Sequence, residues 1–282
     1  MLLKSVNANS SSTFEVNYKM LVLDLDDTLL DDNHRISSRN KELLAKAQSK
    51  GVKVVLASGR PTQAMMQYAH ELQLAEFDSY LISFNGAVVT SLRDNEILFQ
   101  KSLTTDEIHS LYDFSVANNV HILTYSDKGI ISETHSEYID VEVNLTDIPH
   151  HKVPSFKMEV TASAVKCILL EEPDYLKKVE TKLKAERTDL SVSRSKPFFL
   201  EVMPKGIDKA ASIDFLAKKL DIDQREVIAV GNAGNDLTMV KYAGLGVWVD
   251  NVSPELRHEA DFIVASNNDD GVAEVVERFI LN

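Results

Sequence analysis

The chain has 282 residues, enough for one large domain or two modest ones, and 44% of them are hydrophobic, ample for a packed core. A net charge of −13 with no block of basic residues excludes the cationic footprint that a nucleic-acid binder needs. No apolar run approaches the length of a membrane span, and a lone cysteine, Cys167, excludes an internal disulfide.

Residues 1–17 are rich in Ser and Asn and lack the basic start, apolar stretch and cleavage site of a secretory signal. They read as a disordered tail on a cytoplasmic protein. Met20-Leu21-Val22-Leu23 is an uninterrupted apolar run, the mark of a strand buried on both faces of a parallel sheet. Leu43, Leu44 and Ala47 repeat at helical spacing and predict a helix near 38–50, closed by Gly51. Val52 to Ala57 is the next strand, Pro61 opens a helix through about Leu72, and Tyr80-Leu81-Ile82-Ser83 is a third strand. Strand–helix–strand–helix–strand is the rhythm of a doubly wound α/β sheet.

The rhythm changes after Asn85-Gly86. Residues 87–90 and 97–100 flank a polar turn as a hairpin. Helices near 105–118 and 173–186 then alternate with strands near 120–125, 129–133, 165–170 and 198–203, an inserted α+β domain. Cys167 reads as a buried strand thiol. The adjacent His150 and His151 suit a loop, and none of the eight histidines has zinc-type spacing. The first rhythm resumes at Lys205: a helix near 208–220, a strand at 227–230, a helix from about 236, a strand at 246–249 and a terminal helix near 271–280.

Four polar clusters follow apolar runs, where ligand chemistry gathers in parallel sheets. Asp24-Leu25-Asp26-Asp27-Thr28 carries two carboxylates one residue apart. They suit a divalent cation, or a nucleophile beside its acid/base partner, or equally a solvated acidic turn. A calcium loop is excluded, because Leu29 stands where its glycine belongs and Arg35 where its glutamate should be. Ser58-Gly59-Arg60-Pro61 offers a hydroxyl and free N–H groups at a helix start, a phosphate cradle or an ordinary turn. Lys209 follows Asp208, a good N-cap, so its cation opposes the helix dipole unless an anion lies nearby. On that argument its removal should leave stability unchanged or slightly raised; Lys205 is the competing lysine. Gly231 to Asp236 holds Asn232, Asn235 and Asp236, groups for a metal or for an ordinary loop. Together the clusters supply a nucleophile, an acid/base, phosphate donors and charge neutralisation, the inventory for moving a phosphoryl group.

With Asn85-Gly86-Ala87, these motifs resemble the haloacid dehalogenase superfamily of phosphatases, in particular its Cof-type branch, from roughly Tyr18 to Asn282. The resemblance implies a Rossmann-like doubly wound parallel sheet core, residues 18–86 and 202–282, with a large inserted α+β cap domain, residues 87–201. It implies Mg²⁺-dependent hydrolysis of a small phosphorylated metabolite through an aspartyl-phosphate, with Asp24 as nucleophile and Asp26 as acid and base. Ser58, Gly59, Arg60, Asn85, Lys209 and Asn235 would bind the phosphoryl group and substrate. Asp24, Asp26 through its carbonyl, Asn232 and Asp236 would hold the metal. The chain departs from the pattern at Asp27 and Ala210, where glycine is common, and at Asn232, where a metal-binding aspartate is usual. Two other classes remain at this stage: a phospho-accepting signalling switch, and a catalytically idle phosphometabolite sensor.

Overall fold

The computed structural model describes residues 17–282, so all of the expected tail except Asn17 lies outside the described residues. Fourteen strands are described. The first five are β1 (Met20–Leu23), β2 (Lys53–Ala57), β3 (Tyr80–Ser83), β4 (Val88–Ser91) and β5 (Ile97–Gln100). Then come β6 (His121–Ser126), β7 (Gly129–Ser132), β8 (His150–Lys152), β9 (Cys167–Leu170), β10 (Leu190–Lys196) and β11 (Phe199–Pro204). The last three are β12 (Val227–Gly231), β13 (Leu245–Val249) and β14 (Phe262–Val264).

Eight strands form the core sheet in the order β14-β13-β12-β1-β2-β3-β4-β5. From β14 to β3 every pairing is parallel. β1 lies between β2 and β12 and is fully buried, which is why it reads as an unbroken apolar run. Its side chains alternate between two cores. Leu21 and Leu23 join Leu43 and Leu44 of helix Ser38–Ser49, Met65 of helix Thr62–Glu71 and Val272 of helix Gly271–Val276. Met20 and Val22 join Ile213 and Leu216 of helix Lys209–Lys219 and Met239 of helix Leu237–Tyr242. Each such buried aliphatic side chain contributes about 1.5–3 kcal/mol of transfer free energy. The core is a doubly wound α/β sheet with helices on both faces.

The second sheet has the order β10-β11-β9-β6-β7-β8. Helices Thr105–Ala117 and Pro173–Glu186 bury Ile108, Leu111, Leu176 and Val179 against one face. Helix Glu137–Thr146 places Ile139 on the other, against Leu123 and Ile168. Cys167 is buried in β9, and burial pushes its thiol up to about 12, as a structural cysteine requires. A separate apolar cluster (Phe84, Ala87, Val88 and Met203, with Tyr125, Val165 and Ile207 packed on it) joins the two sheets.

Three sequence readings are corrected. The hairpin at 87–100 belongs to the core sheet, since β4 pairs antiparallel with β3, and the second sheet begins only at His121. At the far end β11 runs to Pro204, so residues 202–204 stay with the second sheet. His150 and His151 form β8, parallel to β7, where a loop was expected. Among the described residues no helix is long and apolar enough to cross a membrane.

Gly86 sits at φ +105°, and a Cβ there would stand 2.3 Å from the Asp208 carbonyl oxygen, at the start of the helix that carries Lys209. Gly86→Ala should therefore combine backbone strain with overpacking, a loss of at least about 2 kcal/mol. Thermal unfolding should show a midpoint at least about 4 °C lower. An unchanged midpoint would mean that this junction can open without cost.

Candidate active site

The parallel strands β1, β2, β3 and β12 end side by side, and their following residues supply the polar groups. Asp24 succeeds β1, and its N–H donates to Val230 of β12 at 3.0 Å. The side chain is 6% exposed. Its Oδ1 accepts from Lys209 Nζ at 2.6 Å and its Oδ2 from Thr28 Oγ1 at 3.1 Å. Lys209 is fully buried and also donates to Asp236 Oδ1 at 2.6 Å and to the Ala57 carbonyl at 2.8 Å. An ammonium has three protons, and all three are used. Asp236, equally buried, accepts with Oδ2 from the N–H groups of Asn232 and Ala233 at 3.0 and 3.1 Å. Gly231 makes room for that fold-back: a Cβ there would lie 2.5 Å from the Asp236 Cβ.

Two carboxylates thus share one ammonium in a site without water-like screening. Burial, and next the charge of Asp236, push the Asp24 pKa upward, and Lys209 only partly opposes them. Burial pulls Lys209 toward neutrality, but Asp24 and Asp236 together outweigh it and its pKa is raised. The two directions agree once the count is made: the lysine has two anions, whereas each anion has half a lysine. The expectation that losing Lys209 would leave stability unchanged or slightly raised therefore loses its premise, an exposed cation facing only the helix dipole. The helix dipole is the smaller effect, and the anions that relieve it lie at hydrogen-bond distance.

Asp26 is placed differently. Its side chain is 42% exposed and turns away from Lys209 toward Arg60, which binds it in a fork, Nε at 2.9 Å and Nη2 at 2.6 Å. His34 Nδ1 stands 3.8 Å from the same carboxylate. Arg60 also lies over the Tyr68 ring at 5.5 Å. Asp27 adopts φ +55°, a left-handed conformation that an aspartate tolerates better than most side chains, which accounts for its standing at a position that suits glycine. Ser58 is buried, and its Oγ accepts the Arg60 N–H at 3.2 Å. A Cβ at Gly59 would touch the Asn85 side chain at 3.2 Å, and Asn235 Nδ2 reaches Asn85 Oδ1 at 3.4 Å. Asn232 is half-buried beside Asp236.

The sequence-derived residues therefore fall into two connected groups. Asp24, Lys209, Asp236 and the Asn232 backbone form one; Asp26, Arg60, Ser58, Gly59, Asn85 and Asn235 form the other. Among the described residues no three His, Cys, Asp or Glu side chains are grouped to hold a metal. Sequence reasoning named Thr28 without a role, and it missed the Ala57 carbonyl altogether. A backbone acceptor leaves no trace in residue type.

The chain belongs to the haloacid dehalogenase-like hydrolase family, whose model matches residues 21–276. It is 35% identical over 269 residues to YxeH of Bacillus subtilis (strain 168), covering 94% of this chain and 99% of that protein. It is 30% identical over 267 residues to the 5-amino-6-(5-phospho-D-ribitylamino)uracil phosphatase YcsE of the same organism, covering 95% and 98%. The structure is similar to that of a haloacid dehalogenase-like hydrolase from Bacteroides thetaiotaomicron, with a TM-score of 0.89 and 36% identity over 93% of this chain and 99% of that one. The subclass IIB sugar phosphatase BT4131 shares the fold, with a TM-score of 0.77 and 24% identity over 93% and 98%. The chain is accordingly a phosphatase, a hydrolase of phosphoric monoesters.

Lys209→Met would leave two carboxylates buried without their cation and should cost about 3–5 kcal/mol. Adding Asp236→Asn should recover part of that loss, since only one buried anion then remains. Urea unfolding followed by circular dichroism measures both. Equal stability of Lys209→Met and the parent would remove this ion cluster from the energetics of the fold.

Proposed function

We propose that the chain hydrolyses a small phosphorylated metabolite through a phosphoryl-aspartate on Asp24, with Mg²⁺ as cofactor. The observation that carries the reading is the setting of Asp24: a buried carboxylate at the end of the central strand, held by Lys209 on one oxygen and Thr28 on the other. One hydrogen bond per oxygen leaves a lone pair free to attack phosphorus. As the new Asp24 O–P bond forms, the ester oxygen leaves and takes a proton from Asp26. Water then attacks phosphorus, gives its proton to Asp26, and the Asp24 O–P bond breaks to release phosphate. For Asp26 to carry a proton its fork with Arg60 must open, and an arriving phosphate is the anion for which Arg60 can exchange it.

Ser58 Oγ and the N–H groups that follow it supply donors for the phosphoryl oxygens. Lys209 supplies counter-charge; a direct bond to phosphate would replace one of its three existing bonds. Asn85 and Asn235, bonded to each other at 3.4 Å, would offer their amide groups to the substrate. The donor set fits a hard divalent cation, because two buried carboxylates against one ammonium leave the site short of positive charge and every candidate ligand is an oxygen. Asp24, the Asp26 carbonyl and Asn232 would hold it, with Asp236, whose two oxygens are engaged, acting from behind or through water. When bound, Mg²⁺ would offset the charge that builds on the phosphoryl oxygens. The substrate named for YcsE, a phosphorylated ribitylamino-pyrimidine, and sugar phosphates are the first esters to test.

Asp24→Asn should abolish phosphate release, since an amide oxygen cannot form the acyl phosphate. Asp26→Asn should lower turnover by about 10²–10⁴-fold, the usual share of general acid–base catalysis. Phosphate release from a panel of esters is the measurement. Near-parental turnover in either variant contradicts the assignment.

Asn232→Asp adds a charged ligand, and affinity for hard cations rises with the number of charged oxygens. The Mg²⁺ concentration for half-maximal activity should fall about tenfold. A titration of activity against Mg²⁺ checks this, and an unchanged half-saturation point would place Asn232 outside the metal's reach.

A further inference from the structure

The turn after β3 is under strain that the reaction as described does not use. Phe84, Asn85 and Gly86 are three consecutive residues with positive φ, at +51°, +55° and +105°. A glycine there is ordinary and an asparagine tolerable, but a phenylalanine in the left-handed region is held against its preference. Such a conformation persists only when its surroundings over-determine it.

What over-determines it lies in the second sheet. The Phe84 ring is 7% exposed and meets Tyr125 of β6 edge-on, with centroids 5.7 Å apart and planes at 73°. Lys166, just before β9, is 3% exposed and sets its ammonium 5.7 Å from the Phe84 ring and 5.5 Å from the Tyr125 ring. Glu201 of β11 holds that ammonium at 2.9 Å, and the Tyr125 hydroxyl donates to Glu142. A cation fixed over two aromatic faces away from water is a strong grip. The backbone of the same turn points the other way. The Phe84 N–H donates to the Arg60 carbonyl at 3.0 Å and the Asn85 N–H to the Ser58 carbonyl at 2.9 Å. These bonds fix the main chain of residues 58–60, and Arg60 in turn forks onto Asp26. An ordinary packing anchor between two sheets needs neither the positive φ nor the bonds to this loop.

We infer that Phe84 is a positioning residue for phosphoryl transfer: the second sheet grips its ring through Tyr125 and Lys166, and the strained turn transmits that grip to Ser58, Arg60 and Asp26. The inference rests on the roles proposed above for those residues. It makes the chemistry of the core conditional on contacts made by the other sheet, through side chains that bond to none of Asp24, Asp26 and Lys209.

The test uses the full chain with Mg²⁺ and p-nitrophenyl phosphate, comparing Phe84→Leu, Tyr125→Leu, Lys166→Met and the conservative Phe84→Tyr. Phe84→Leu and Tyr125→Leu should each lower kcat about tenfold or more while KM changes less than twofold, since misplacement of this scale acts on the reacting geometry. The double variant should be no slower than the slower single one, because both act along one path. Phe84→Tyr should keep the parental kcat. Hydrogen exchange at residues 58–60 should quicken in Tyr125→Leu while β1 and β12 stay protected. Parental kcat in the leucine variants, or losses that multiply in the double one, overturns the inference. If Phe84→Leu fails to fold, Tyr125→Leu and Lys166→Met decide it from the second sheet. If the parent hydrolyses no phosphate ester, the proposed function fails and exchange alone decides: unchanged protection at 58–60 in both cap-side variants overturns the grip.

Discussion

One buried ammonium holds this structure's working end together. Lys209 reaches Asp24, Asp236 and the Ala57 carbonyl, so a single side chain ties the ends of β1 and β2 to the loop after β12 and to its own helix. Such a cluster gains little net stability by existing, because desolvating three charges consumes most of the Coulombic return. Its effect is geometric: with every proton and most lone pairs engaged, the groups have one arrangement. The neighbouring backbone is shaped around it, as Gly231 shows by lacking the atom that would collide with Asp236.

The core was readable because its strands are buried on both faces and so leave continuous apolar runs; β1, β2, β3, β12 and β13 were all found that way. The strands that escaped, β8, β10 and β14, have weaker signals. β8 is three polar residues at a sheet edge, β10 alternates only over its first three residues and ends exposed and charged, and β14 is three residues at the other sheet's edge. The hairpin β4–β5 was seen but misassigned, because an apolar pattern specifies a strand and not its partner. Helix Glu137–Thr146 mixes acidic and apolar residues too evenly to show one face.

The site was legible in a similar degree. Asp24, Asp26, Ser58, Lys209 and Asp236 could be singled out since each follows a buried run or an N-cap, and the fold brings them to one end of the sheet. How they pair was not legible. Lys209 and Asp24 are 185 positions apart, and nothing local to Lys209 announces that it will be wholly enclosed between two anions. Arg60 and Asp26 pair across 34 positions by the same logic. Phe84 gave no signal, because its conformation is imposed by a sheet whose contact with it could not be foreseen. Residue type reveals which groups are available; burial and partners decide what they do.

The order of strands carries a consequence for synthesis. β1 is flanked by β2, about thirty residues on, and by β12, whose residues follow some two hundred later. The second sheet, by contrast, is contiguous from His121 to Pro204 and has all its strands before β12 exists. At about 5–20 residues per second a ribosome needs roughly 10–40 s to travel from β1 to β12. Throughout that interval a wholly apolar, fully buried strand has one open edge, while the later-encoded sheet can already close. The middle of the sequence can mature before its beginning does, and until β12 is made the open edge of β1 is a template for unintended pairing.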